Sequence, residues 1–291
     1  MTIKIKTEAE IQKMRVAGKL AGELLDYLTD FIQPGVTTEE IDRLAYEYMV
    51  NVQGTIPAPL NYAPQGYKPY PKSICTSINH QVCHGVPNER PLKKGDIVNI
   101  DVTPIKDSWH GDSSRMYIAG KGSIAATRLC QVTFEAMWLG IDMVRPNIHL
   151  GDIGHAIQVY AERNGYSVVR EFCGHGIGQG FHEDPQVLHY GRPGTREILQ
   201  PGMIFTIEPM LNIGKKEIKE GNDPFGWSIV TKDHSLSAQW EHTILVTETG
   251  YEVLTFSAKC PPPPGFVKHF VPNQLVVPEL GRAATETSSS S

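Results

Sequence analysis

The sequence is short of the features that mark several large protein classes. Five of its 291 residues are cysteine, at positions 75, 83, 130, 173 and 260. The number is odd and no two form CxxC, so the set reads as reduced thiols in a cytoplasm, not as a disulfide frame or a zinc finger. No run approaches the ~18 apolar residues of a membrane span. The opening stretch, MTIKIKTEAEIQKM, lacks the apolar run of a signal peptide. Basic charge is not in excess either. The formal net charge is −5, against the basic footprint of a nucleic-acid partner.

Nucleotide and nucleophile motifs are missing too. GxxxxGK[ST] occurs nowhere, and the glycines at 174–178 do not complete GxGxxG, because the third positions are Gln179 and Phe181. HEDPQ at 182–186 is not the zinc helix HExxH, since Gln186 replaces the second His and Pro185 would break the helix. There is no GxSxG.

What remains is ordinary for a soluble enzyme: 40% hydrophobic and 20% charged residues in a chain long enough for a sizeable core. Thr7 and Glu10 have capping-box spacing. Ile11, Met14, Ala21, Leu25, Leu28 and Ile32 then form the stripe of an amphipathic helix. Pro34-Gly35 stops it, and Thr37 with Glu40 predicts a second helix to about Val52.

The pattern returns. IQPGVTTEEIDRLAYEY (32–48) aligns without a gap to VRPNIHLGDIGHAIQVY (144–160), each after a long amphipathic segment. GDIVNID (95–101) and GMIFTIE (202–208) are both Gly, an apolar strand, then a carboxylate. HGVP (84–87) and HEDP (182–185) are both His-x-x-Pro. Three correspondences in one order predict two related halves, about 1–120 and 121–258, sharing one sheet. Beyond them, 259–291 is a Pro/Ser-rich tail whose four prolines favour extended chain and whose Ser/Thr end reads as disordered. Removing it is expected to leave catalysis intact.

CGHGIGQGFHEDP (173–185) sets four glycines beside two histidines. With a phosphate loop excluded and strand-like VVREF and QVLHY on either side, a metal or substrate site on strand ends is predicted. Asp101 ends one apolar strand and Asp112 begins the returning one. Glu208 ends FTIE, and Glu241 heads the last strand. Singly each is an ordinary strand-end acid. Together they are a cluster whose charge two divalent cations would balance, with His175 completing a mixed O/N shell suited to Mn, Fe(II), Co or Zn. The spacing is compatible with a two-metal centre ~3.5–4 Å apart. The glycines are expected to let backbone approach metal and substrate, with φ > 0 where needed. His110 and His242 fall on the opposite strand phase and receive no role. Glu183 and Asp184 read as solvated, and His189 as structural or exposed.

These residues, with CHG at 83–85, GHGIGxGFHExP at 174–185, FTIEP at 205–209 and EHT at 241–243, resemble the type I methionine aminopeptidases over about residues 3–258. The resemblance implies an α+β pita-bread fold, with a curved antiparallel sheet flanked by helices in pseudo-two-fold halves. It implies that Asp101 chelates one metal, Asp112 and Glu241 bridge both, and His175 and Glu208 complete the second. Glu208 is then the general base, His182 the oxyanion donor, and His84 a contact to the scissile amide or the leaving side. Tyr67, Tyr70, Phe181 and Trp227 match a methionine pocket, and a pocket position that is Cys in many relatives is Pro64 here. Asn79 and Ser237 match positions near a monovalent cation. The implied substrates are nascent polypeptides with N-terminal Met, met by a monomeric cytoplasmic enzyme at the ribosome, with no nucleic acid bound directly and no membrane. The rival readings are a proline-directed relative of the aminopeptidase P or prolidase type, which usually carries an extra N-terminal domain, and a non-catalytic binding protein on the same fold.

Overall fold

The structure, a computed structural model, describes residues 2–275. Helix α1 (Glu8–Thr29) begins at the capping box: Thr7 Oγ1 accepts from the Glu10 N–H, and the Glu10 carboxylate accepts from the Thr7 N–H at 2.8 Å. Its stripe of Ile11, Met14, Ala21, Leu25 and Leu28 is buried. Helix α2 (Thr38–Glu47) is capped by Thr37, whose side chain accepts from the Glu40 N–H. It does not continue as α-helix to Val52. Tyr48–Gln53 widens into a π-helix, which Gly54 closes with φ 59°, a left-handed conformation that glycine adopts without steric cost. The second helix pair is α3 (Ile124–Asp142) and α4 (Leu150–Arg163), and Asp152 caps α4 by accepting from the His149 N–H at 2.9 Å.

The strands follow the same doubling. Strand 97–102 lies between strands 75–78 and 113–118, all antiparallel. Strand 204–207 lies between strands 174–176 and 242–246, also antiparallel. GDIVNID and GMIFTIE thus take the middle position of matching strand triplets. Strands 183–187 and 251–253 extend the second triplet outward. An antiparallel bridge between Ser114 and Glu241 joins the two sheets. Each half has its own apolar layer between helices and sheet: Leu24, Leu28, Ile41 and Ile100 in the first, Trp138, Ile153, Phe205 and Ile244 in the second. Each such side chain contributes about 1.5–3 kcal/mol by leaving water. The sheets therefore form a stiff floor on which strand-end acids are held.

The chain after Ala258 contacts both the second half and the end of helix α1, where Lys259 Nζ donates to Asp30 Oδ2 at 2.7 Å. Phe270 packs on Phe256 and Trp138, with ring centroids 4.6 and 5.5 Å apart. The Val253 N–H donates to Val271 O at 2.9 Å, and Asn273 Nδ2 donates to the carbonyls of Arg15 and Leu254. Val276 to Leu280 and the Ser/Thr end lie outside the described residues. A chain ending at Ala258 is expected to melt several degrees lower, by loss of these contacts, with kcat on a short peptide unchanged. Thermal scans and turnover of the truncated protein check this; an unchanged melting temperature would contradict it.

Candidate metal centre and substrate cavity

The centre is built from strand ends of both halves. The ladder pairs Asp101 with Ser114 and Val102 with Ser113. One further step sets Asp112 opposite Thr103, diagonal to Asp101 on the same face, and Thr103 Oγ1 donates to Asp112 Oδ1 at 2.9 Å. Glu208 follows strand 204–207, and Thr206, two residues earlier on the same face, donates from Oγ1 to Glu208 Oε1 at 2.7 Å. The same hydroxyl accepts from the His175 N–H at 3.0 Å. Gln239 Nε2 donates to Glu208 Oε2 at 3.1 Å. Glu241 sits where the sheets join: its N–H donates to Ser114 O, and its carbonyl accepts from Ser113 Oγ.

These side chains converge. Ligand atoms of Asp112, His175 and Glu241 all lie within 4.8 Å of one another. His175 Nε2 is 3.5 Å from Asp112 Oδ2 and 3.7 Å from Glu208 Oε1. Asp101 lines the same cavity. His175 Nδ1–H donates to Gly176 O at 2.9 Å, which leaves the Nε2 lone pair facing the acids. No Lys or Arg is among the residues lining the cavity.

The electrostatics follow from that crowding. Burial, then the charges of Asp112 and Glu208, push the Asp101 carboxyl well above its ordinary value. Burial and the charges of Asp112, Glu208 and Asp101 do the same to Glu241. Burial, reinforced by Asp112, raises Glu208 to about 7 against the pull of His175. Burial by itself would lower the His175 pKa, but the Asp112 hydrogen bond and the charges of Glu208 and Asp112 bring it out raised. Oxygen donors, one oriented imidazole nitrogen and the lack of a local cation fit a divalent metal centre.

A cavity of about 340 Å³ adjoins the acids, and Tyr62, Pro64, Tyr67, Tyr70, Phe181 and Trp227 line it together with His84 and His182. Trp227 is buried and still faces the cavity, its Nε1 donating to Lys68 O at 2.9 Å. Tyr70 meets it edge-on at 5.3 Å. His84 has φ 55°, an uncommon conformation outside glycine, and rests edge-on against Phe172. Burial lowers the pKa of His84 to about 4, and burial with the neighbouring His175 lowers that of His182 to about 3, so both are neutral donors or acceptors. Asn79 and Ser237 are outside this cavity. The Ser237 N–H donates to Asn79 O at 2.9 Å, while the Asn79 amide is engaged by Asp96 and by the Ile97 N–H.

The description metallopeptidase family M24 matches residues 12–248. The chain belongs to that family. This M24 peptidase is 59% identical over 256 residues to the methionine aminopeptidase of Salmonella typhimurium, which covers 88% of this chain and 94% of that protein. It matches the crystal structure of methionine aminopeptidase from Rickettsia prowazekii with a TM-score of 0.84 and 55% identity, over 88% of this chain and all of that one. A prolidase from Pyrococcus furiosus shares the fold, with a TM-score of 0.70 at 20% identity over 88% of this chain and 66% of that one. The pita-bread α+β architecture is therefore that of the family, and divalent metal ions belong to its chemistry.

Two expectations need correction. Gly174, Gly176, Gly178 and Gly180 are not in the left-handed region, and at Gly174 and Gly176 it is neighbouring backbone that excludes a side chain. A Cβ at Gly174 would lie 2.3 Å from Thr206 O, and one at Gly176 2.1 Å from Asp184 O, so the neighbouring strands forbid it. Glu183 is not solvated: it accepts from Lys6 Nζ at 2.7 Å, Lys4 Nζ at 2.9 Å and the Gly180 N–H. Of the two alternatives for His189 the structural one holds: it is buried, and its Nε2 accepts from the Glu208 N–H at 3.0 Å. Sequence reasoning also passed over Tyr62, Thr103, Thr206 and Gln239. Only the two threonines carried a signal, through strand phase.

The raised Glu208 pKa sets a pH dependence. In the metal-free fold Glu208 keeps a proton that the unfolded chain releases, so its stabilising contribution is full below 4.5 and is lost as pH rises through about 7. The melting temperature of chelator-treated protein is expected to fall across that window, and the stabilisation by added divalent metal to grow. Thermal scans across the window decide it; a metal-free melting temperature that rises there would contradict it.

Proposed function

We propose that this M24 peptidase is a methionine aminopeptidase, a metal-dependent hydrolase that removes the N-terminal methionine from nascent polypeptides. One observation carries the reading: four acids and His175, drawn from both halves, line one cavity together with a set of aromatic side chains. The 59% identical relative is a methionine aminopeptidase, whereas the 20% identical prolidase shares the fold alone.

Asp101, Asp112, His175, Glu208 and Glu241 would hold two divalent ions, from the class of Co, Mn, Fe(II) and Zn, and Asn79 with Ser237 would lie near a monovalent cation. Bound divalent ions would supply Lewis acidity that acidifies water and polarises the scissile carbonyl. Glu208, held in place by Thr206 and Gln239, acts as general base and takes the proton of the attacking water. His182 donates to the carbonyl oxygen as it gains negative charge. His84 contacts the scissile amide or the leaving side. Tyr67, Tyr70, Phe181 and Trp227 surround the methionine side chain, whose unbranched thioether suits aromatic contact. The reaction belongs to the cytoplasm, with the protein acting as a monomer on chains emerging from the ribosome. No helix among the described residues is long and apolar enough to cross a membrane.

Glu208→Gln should abolish turnover with little change in secondary structure; wild-type kcat would remove Glu208 from the mechanism. His182→Ala should lower kcat by roughly 10²–10³, and a pure KM effect would contradict the oxyanion role. In competition the metal-loaded protein should cleave Met-Ala-Ser over Ala-Pro-Ala, and the opposite preference would overturn the assignment.

A further inference from the structure

Tyr62 stands in the proline-rich loop that walls the cavity, and its backbone is fastened. Its N–H donates to Pro59 O at 2.9 Å, its carbonyl accepts from the Tyr70 N–H at 2.8 Å, and the Asn61 N–H donates to Tyr70 O at 2.8 Å. Tyr70 is itself anchored: its buried hydroxyl lies 3.0 Å from the carbonyls of both Ile74 and Gly85. The Tyr62 ring leans on Phe181, centroids 5.2 Å apart, and on His182 at 5.4 Å. Its hydroxyl ends 2.9 Å from His182 Nδ1.

That contact bears on which nitrogen of His182 carries the proton. A neutral imidazole has one N–H, and the bond made by one ring nitrogen sets the role of the other. The phenol has one proton to give, and among the described residues His182 Nδ1 is the hydrogen-bond partner it meets. We propose that Tyr62 is a positioning residue: its hydroxyl donates to His182 Nδ1, fixes the Nε2–H tautomer and aims that N–H at the substrate carbonyl. The opposite tautomer would turn an Nε2 lone pair toward an oxygen gaining negative charge. The arrangement matches the rule that a catalytic imidazole needs a third group to orient it. Here that group comes from the pocket wall, so the loop that shapes the substrate side of the cavity also sets the polarity of the catalytic side. The inference rests on the reading of His182 as a donor to the carbonyl, but the Tyr62–His182 bond can be observed separately.

The test uses the full chain loaded with zinc, which is diamagnetic, and labelled with nitrogen-15 at histidine. In the parent protein His182 should show a protonated Nε2 and an unprotonated, hydrogen-bonded Nδ1. Tyr62→Phe keeps the ring and its packing but removes the hydroxyl. It should move the His182 nitrogen resonances toward a tautomer mixture and lower kcat on Met-Ala-Ser about tenfold, the size of one lost hydrogen bond, with KM little changed. Added to His182→Ala, it should cause no further loss. An Nδ1-protonated His182 in the parent would overturn the proposal. So would an unchanged His182 spectrum in Tyr62→Phe, or a kcat loss that persists in full on the His182→Ala background. If His182→Ala alone leaves kcat intact, the oxyanion role fails, and the spectra still decide the tautomer.

Discussion

Four carboxylates line one cavity, with no Lys or Arg among the residues lining it. Placed there as anions they repel, and burial alone disfavours each charge. The response without a cation is protonation: Asp101 and Glu241 are driven well above the ordinary carboxylate range, and Glu208 to about 7. A fold that holds such a cluster has a standing affinity for positive charge. His175 makes the preference specific, because its Nδ1–H is committed to Gly176 O and its other nitrogen is left as a lone-pair donor. The hydroxyls of Thr103 and Thr206 and the Gln239 amide hold Asp112 and Glu208 in place by hydrogen bonds.

The doubled architecture delivers the acids without a dedicated loop. In each half a middle strand, 97–102 or 204–207, runs through an apolar layer toward the centre. Asp101 lies near the end of the first strand and Glu208 just past the end of the second. Asp112 precedes the return strand in one half and Glu241 in the other, and the Ser114–Glu241 bridge brings those two starts together. The cost of crowding acids is thus borne by two stiff sheets, each with its own core, and not by a mobile segment. His84, His182 and the aromatic wall of the cavity are then added largely from loops, where sequence is free to vary.

Much of this was legible in the residues. The helix pairs announced themselves by capping chemistry and a regular apolar stripe, and the converging acids by their strand-end positions in matched segments. Periodicity could not report what depends on neighbours across the sheet. Gly174 and Gly176 are required by the carbonyls of Thr206 and Asp184 on the strands beside them, so their cause was misread. Glu183 looked solvated because its partners, Lys4 and Lys6, lie at the other end of the chain. His189 carries no local signal for its bond to the Glu208 N–H. Tyr62 sits among prolines and polar residues in a loop with no repeat to align it. The apolar pieces after Ala258, from Phe266 on, could be read as able to dock but not where: Phe270 packs on Trp138 and Asn273 bonds to the carbonyls of Arg15 and Leu254.

The central claim is that the acids of the two halves share metal. Anomalous diffraction from crystals of the manganese-loaded protein, collected to distinguish manganese from lighter scatterers, tests it most directly. The account predicts anomalous density enclosed by Asp101, Asp112, His175, Glu208 and Glu241. Manganese bound only at surface carboxylates or histidines, with that enclosure free of anomalous signal, would contradict it.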